Sequence, residues 1–217
     1  MGTIEQNILK EVAGLDALPV GAYNIRTNGA SSARNTTANI DIVTKEDKPG
    51  IDIIIKPGTK NESVHIPVVV SQAGLKDMVY NDFFIGEDAD VTIVAGCGIH
   101  NCGTEDSGHD GIHTFYLEKG AKVRYVEKHY GEGDPGTTGK RLMNPTTVVH
   151  LKEDAQMVME TSQIAGIDDT LRITKADLAD RAKLEIHDSI MTTGDQTADA
   201  EFTADLNCED CSCNIVS

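Results

Sequence analysis

One short phrase recurs along this 217-residue chain: a turn-prone pair, then alanine, a polar residue and an alternating strand. The copies are E-D-A-D-V-T-I-V, K-G-A-K-V-R-Y-V, E-D-A-Q-M-V-M-E and D-R-A-K-L-E-I-H, with a degenerate fifth, E-D-C-S-C-N-I-V. Their anchors, Ala89, Ala121, Ala155, Ala182 and Cys211, stand 32, 34, 27 and 29 residues apart. Each copy follows another strand-like run: V-Y-N-D-F-F-I, G-I-H-T-F-Y-L, T-T-V-V-H-L, T-L-R-I-T-K and A-E-F-T-A-D-L. One unit is therefore strand, tight turn, strand and a longer connection. Period-two alternation puts each alanine and the hydrophobes after it on one face. A unit this short cannot close a core alone and must stack on its neighbours. The pattern predicts an all-β solenoid, a parallel β-helix, with an ordinary β-sandwich as the competing architecture.

The flanking regions frame this repeat. Residues 3–15 read as a helix: Thr3 is placed to cap it, Gln6 completes a capping box, and Ile4, Ile8, Val12 and Leu15 line one apolar face. Such a helix is expected to cover the open first rung, whose unpaired edge is otherwise an aggregation hazard. Residues 27–39 and 131–141 are polar and turn-rich and read as loops. The expected organisation is a capping helix and linker over residues 1–20 and one β-helix core over 21–217.

Charge narrows the function. Lysine and arginine number 19 against 35 aspartates and glutamates, a formal net charge of −16. Such a surface repels nucleic acid and anionic membranes, and no basic run offers a local exception. No apolar segment is long enough to suggest a transmembrane helix. The first residues are acidic and amphipathic, unlike a signal peptide. A cytoplasmic location is expected. In that reducing compartment five cysteines, an odd number, read as thiols or metal ligands rather than disulfides.

Residues 94–145 hold four of the seven histidines, His100, His109, His113 and His129, and two of the five cysteines, Cys97 and Cys102. Both residue types bind soft and borderline metals. Cys97, Cys102, His109 and His113 are candidate metal ligands, and Cys97, His100, Cys102 and His129 are candidate cofactor ligands. The spacing is not that of a zinc finger, because only six residues separate the Cys pair from the His pair. G-D-P-G-T-T-G-K-R imitates a phosphate loop but fails in detail. Five residues lie between Gly133 and Gly139, and Arg141 stands where a magnesium-binding hydroxyl is needed. Cys208, Cys211 and Cys213 could ligate iron, but the last two fall on the repeat's interior positions and read as small buried hydrophobes.

Alignment on the alanines exposes polar columns. Eight residues beyond successive anchors lie Cys97, His129 and Gln163; six beyond lie Ala95, Glu127, Thr161 and Asp188. Equivalent residues of stacked rungs sit about 4.8 Å apart. Cys97 and His129 are thus expected on one face of adjacent rungs, with the imidazole lowering the thiol pKa. The alternative is that Gly96 and Gly98 break the strand and turn Cys97 elsewhere.

Several phrases also resemble a known family. G-C-G-I-H-N, H-D-G-I-H-T-F and V-E-K-H-Y-G-E-G, with P-V-G-A-Y-N-I-R and I-K-P-G-T-K-N-E-S-V-H-I-P upstream and T-K-A-D-L and G-D-Q downstream, look like the SufB/SufD proteins of iron–sulfur cluster assembly. The resemblance covers most of the chain. It implies a right-handed parallel β-helix that carries no turnover of its own. It also implies a scaffold on which sulfide and iron meet thiolate and imidazole ligands to form a transient iron–sulfur cluster. The implied partners are a SufC-like ATPase, a second SufB/SufD-like subunit or a homodimer mate, and a sulfur donor protein. The family continues past the point matching Ser217, through a cluster-ligating cysteine and the ATPase-binding surface, so a truncated form is expected. It gives Cys208, Cys211 and Cys213 no role. The rival class is a metal-dependent lyase or transferase on a β-helix scaffold, since fold alone does not fix function.

Overall fold

A computed structural model describes residues 2–217. It is a parallel β-solenoid of about six turns, 60% strand, with one short helix. After helix α1 (Thr3–Ala13) come β1 (Ala22–Thr27), β2 (Ala30–Asn35), β3 (Ile40–Thr44), β4 (Gly50–Ile55), β5 (Lys60–Val70) and β6 (Lys76–Ile85). Then follow β7 (Asp90–Asn101), β8 (Ser107–Leu117), β9 (Lys122–Gly133), β10 (Arg141–Met143) and β11 (Thr146–Leu151). The last are β12 (Gln156–Ala165), β13 (Asp169–Leu178), β14 (Lys183–Ile190), β15 (Thr197–Asp205) and β16 (Ser212–Val216). One wall runs β2-β1-β5-β7-β9-β12-β14-β16 and the other β3-β4-β6-β8-β11-β13-β15, with β10 bridging β8 and β13. Only the first pair in each wall, β1–β2 and β3–β4, is antiparallel.

The repeat builds the stack. Ala89, Ala121, Ala155 and Ala182 are all fully buried. Each accepts a hydrogen bond from the residue after the next anchor: Lys122 N to Ala89 O at 2.7 Å, Gln156 N to Ala121 O at 2.8 Å, Lys183 N to Ala155 O at 2.9 Å and Ser212 N to Ala182 O at 3.0 Å. Thr59 extends the column one rung upstream, its carbonyl accepting from Asp90 N at 2.7 Å. The residue before each anchor is left-handed, with φ of 55° at Asp88, 61° at Asp154, 58° at Arg181 and 53° at Asp210. Aspartate tolerates that region because its short side chain bonds locally. Gly120, before Ala121, has φ of 67° and no Cβ to clash, and Arg181 is held by ion pairs to Asp154 and Glu153. Inward residues of both walls close one core, in which Phe83 and Phe115 stack at 4.3 Å.

Three expectations change. First, α1 does not cover the first rung. It lies across the outer face of β5, β7 and β9, burying Ile8, Leu9 and Val12 against Ile25 and Val69. Gly96 and Gly98 do not break β7; they let the helix approach. A Cβ on Gly98 would lie 2.0 Å from Ile8 Cγ2, and one on Gly96 would lie 2.5 Å from Val12 O. Ile4 faces away from the packed side and is exposed. Gly2 is the cap residue, its amide bonded to Glu5, so the capping pair sits one residue earlier than Thr3 and Gln6. Second, residues 27–39 are not all loop. Asn28 and Gly29 both have positive φ, the turn that Asn-Gly favours, and they fold β1 onto β2 as a hairpin. Third, Cys208 and Cys211 form a disulfide. They stand at the first and last positions of the tight turn before β16, where their Cα atoms are 5.8 Å apart, within disulfide reach. Cys213 packs against the core, as its place in the alternation predicts.

The outer edge of β16 pairs with no strand among the described residues. No helix among them is long and apolar enough to cross a membrane.

Candidate functional site

Strand alternation sorts the candidate residues onto two sides of one wall. Cys97 and Ile99 of β7 face the interior; His100, three residues from Cys97, has the opposite parity and faces out. Cys102 lies just past the end of β7 and is exposed. On the facing wall, His109, Gly111 and His113 of β8 share the inward parity. The set Cys97, Cys102, His109 and His113 therefore does not converge on one metal ion, because Cys102 is outside the barrel wall and the other three are inside. For the same reason Cys97, His100, Cys102 and His129 do not form one cofactor site.

The interior group is held by register. Cys97 stands opposite His129 in the β7–β9 ladder, and His129 opposite Gln163 in β9–β12. The neighbouring column carries Glu127, Thr161 and Asp188, all buried. Across the core, β13 contributes Arg172, which donates to Asp188 through Nη1 and to His129 Nδ1 through Nη2 at 3.2 Å. A guanidinium has no acceptor, so His129 Nδ1 must accept. The proton then sits on Nε2, which faces Glu127 Oε1 at 3.4 Å. His113 lies with Nδ1 2.8 Å from the Tyr125 hydroxyl and Nε2 3.3 Å from Asn81 Nδ2. Arg26 binds Asp77 through two 2.8 Å bonds, and His109 Nδ1 lies 3.3 Å from the same carboxylate.

These contacts set the ionisation. Burial alone would raise the Glu127 carboxyl, but His129, His113 and Arg172 outweigh it and hold it well below the usual range. Burial pushes the His113 imidazole down to about 4, and depresses His129 despite the adjoining Glu127. Burial, with Glu127, Asp77 and Asp110 acting in the same sense, raises the Cys97 thiol well above its ordinary value. The expectation that His129 would activate Cys97 is thus corrected. Burial depresses the imidazole, and the Glu127 carboxylate acts on the thiol in the sense that raises it.

At the centre is a cavity of about 10 Å³, roughly one water-sized guest, lined by Cys97, His109, Gly111, His113, Glu127 and His129. A Cβ on Gly111 would lie 3.3 Å from Nε2 of both His109 and His113, so the missing side chain leaves room between the two imidazoles. Beside it, both amide atoms of Gln163, Nε of Arg172 and Oδ2 of Asp188 are buried without a hydrogen-bond partner. Unpaired buried polar atoms are costly in a core, and four of the six among the described residues belong to these three side chains.

On the outer wall, His100 Nδ1 lies 3.1 Å from Glu132 Oε1, its register partner on β9, and His100 Nε2 lies 3.8 Å from Asp134 Oδ1. His100, Cys102 and Asp134 place three potential metal-binding atoms within 4.8 Å of one another. No other such group gathers among the described residues.

Arg172, Tyr125, Asp77 and Asp134 are absent from the sequence-derived candidates. Arg172 carried a signal, since it occupies an inward parity in T-L-R-I-T-K between Thr170 and Thr174, both buried. Asp134 carried none, because it follows the end of β9 in an irregular segment. No family model, curated protein or solved structure matches the chain.

Proposed function

We propose that this protein is an iron–sulfur cluster assembly scaffold of the SufB/SufD kind. In this reading it works in the cytoplasm with a separate SufC-like ATPase and with a second SufB/SufD-like subunit or a copy of itself, and takes sulfur from a donor protein. The sequence phrases that resemble that family support the reading. The observation that carries it is Cys97: a single buried thiol opposite His129, at a small cavity that Glu127 also lines, within the polar part of the interior. The cavity is sized for one atom rather than a cluster, so the interior serves to hold sulfur and the cluster itself is cargo assembled elsewhere on the complex.

The step is persulfide exchange. The Cys97 sulfur attacks the outer sulfur of a donor persulfide, the donor's S–S bond breaks, and Cys97 becomes the persulfide as the donor leaves as a thiol. The Glu127–His129 pair takes the Cys97 proton and returns it to the leaving thiolate, so no net oxidation occurs. A raised thiol pKa keeps Cys97 unreactive until the sulfur arrives, and burial shields the persulfide from water. The protein itself turns nothing over; ATP hydrolysis belongs to the partner. The rival lyase or transferase reading needs a groove with free charged groups. In the cleft lined by Lys140, Arg141, Asp168 and Asp195, Arg141 and Asp168 are instead bound to each other at 2.8 Å.

The test is anaerobic coexpression with a SufC-like ATPase and a cysteine desulfurase, followed by alkylation and peptide mass spectrometry. The expected result is copurified ATPase, a persulfide on Cys97 and a visible cluster chromophore once iron is added, with the last two lost in Cys97→Ala. If the ATPase does not copurify and Cys97→Ala assembles as much cluster as the wild type, the proposal is wrong.

A further inference from the structure

We infer that His100, Cys102 and Asp134 form a mononuclear binding site for a divalent transition-metal ion on the outer wall, distinct from the interior group. Their candidate ligand atoms lie within 4.8 Å of one another. Ligands about 2.0–2.3 Å from one zinc-like ion stand at most about 4.6 Å apart, so the set already has nearly the dimensions of a coordination sphere. The elements explain the convergence. His100 is the penultimate residue of β7, Cys102 follows that strand, and Asp134 follows β9, the next rung.

The contacts around His100 orient it for a ligand role. The His100 side chain is only 8% exposed, and its ring is fixed by Glu132 Oε1, 3.1 Å from Nδ1. Glu132 is itself oriented by the Tyr130 hydroxyl, which donates to Oε2 at 3.0 Å. A carboxylate can only accept, so the Nδ1 proton is committed to Glu132. The other ring nitrogen, Nε2, is thereby turned toward Asp134, whose Oδ1 lies 3.8 Å away. A carboxylate on the far nitrogen of a histidine is the outer-shell partner that orients metal-binding imidazoles and raises their basicity. One sulfur, one nitrogen and one oxygen form a borderline donor set suited to zinc, iron(II) or cobalt(II) rather than to calcium or magnesium. Three protein ligands leave a fourth position open. It faces a cleft of about 470 Å³ against the first turn of α1, which Glu5 and Ser71 also line.

The site is tested by titrating cobalt(II) into the reduced full chain under anaerobic conditions. The expected result is one equivalent bound, with the near-ultraviolet charge-transfer band of a cobalt–thiolate bond and visible bands of tetrahedral intensity. Cys102→Ser, at an exposed position, removes the charge-transfer band while leaving the far-ultraviolet circular dichroism unchanged. Glu132→Gln weakens binding by about ten- to a hundredfold while keeping the band shape. Cys97→Ala leaves the titration as in the wild type, so this site and the interior sulfur reading stand or fall separately. A charge-transfer band that survives Cys102→Ser, or none at saturating cobalt, overturns the assignment in favour of a protonated His100 bridging two carboxylates.

Discussion

Removing Arg172 tests whether the polar interior is a balanced network. The Arg172 and Asp188 side chains are 4% and 1% exposed, and their ion pair spans the core between the two walls. Arg172→Met keeps the volume but strands Asp188, which retains Thr161 Oγ1 as a donor, and removes the donor to His129 Nδ1. Losing one partner of a buried ion pair costs about 3–5 kcal/mol. In a chain of this size that corresponds to a fall in Tm of about 6–20 °C. The double variant Arg172→Met, Asp188→Leu replaces the pair with hydrocarbon and should return to within about 1 kcal/mol of the wild type. The two substitutions are therefore expected to couple by at least about 2 kcal/mol, well outside additive behaviour. Urea unfolding followed by far-ultraviolet circular dichroism, with thermal melts alongside, measures all four corners of the cycle. The reasoning fails if Arg172→Met costs less than about 1 kcal/mol, or if the double variant is as unstable as the two single losses added together.

Further tests follow from other parts of the molecule. His113 titrates near 4 when folded against an ordinary 6.5, so between those values the unfolded chain holds a proton that the folded chain does not. Stability should be full above about pH 6.5 and fall by up to about 3 kcal/mol as pH drops to about 4; His113→Gln should flatten that limb in unfolding titrations. Cys102 should label rapidly with a thiol reagent in the free native protein, whereas Cys97, buried with a raised pKa, should label far more slowly, at a rate set by local opening of the wall; peptide mapping that finds equal rates at the two would contradict the interior position of Cys97. Gly98→Ala places a methyl against Ile8 and should cost about 1–3 kcal/mol. Limited proteolysis should then cut within residues 3–13 while the sheet signal persists, and Ile8→Ala should restore part of the loss.

Much of the architecture was legible because a solenoid is nearly one-dimensional. The alanine anchors carry both the rung spacing and the parity of every strand that follows them. The in-register neighbours Cys97 and His129, and the column of Glu127, Thr161 and Asp188, could therefore be read from offsets alone. The β1–β2 hairpin is harder to see, because its primed-turn pair Asn28-Gly29 sits inside a polar, turn-rich run that has the composition of a loop. Parity also held the answer for His100, which cannot share a face with Cys97.

What the sequence alone determined is which residues lie in one rung's column and which side of the wall they face, because hydrogen-bonded stacking fixes both once the anchor is known. Only the tertiary structure decided what meets across the core and over the wall. Arg172 reaches His129 from the opposite sheet, 43 positions away. Helix α1 rests on the outer face over Gly96 and Gly98 instead of covering an edge. Asp134, in an irregular segment, closes on His100 and Cys102. Those contacts depend on the separation of the two walls and on the paths of loops, and neither is written in a period of two. The same holds for the Cys97 thiol. Adjacency to an imidazole suggested activation, but the depth of burial, a property of the whole fold, depresses the His129 imidazole and raises the thiol instead.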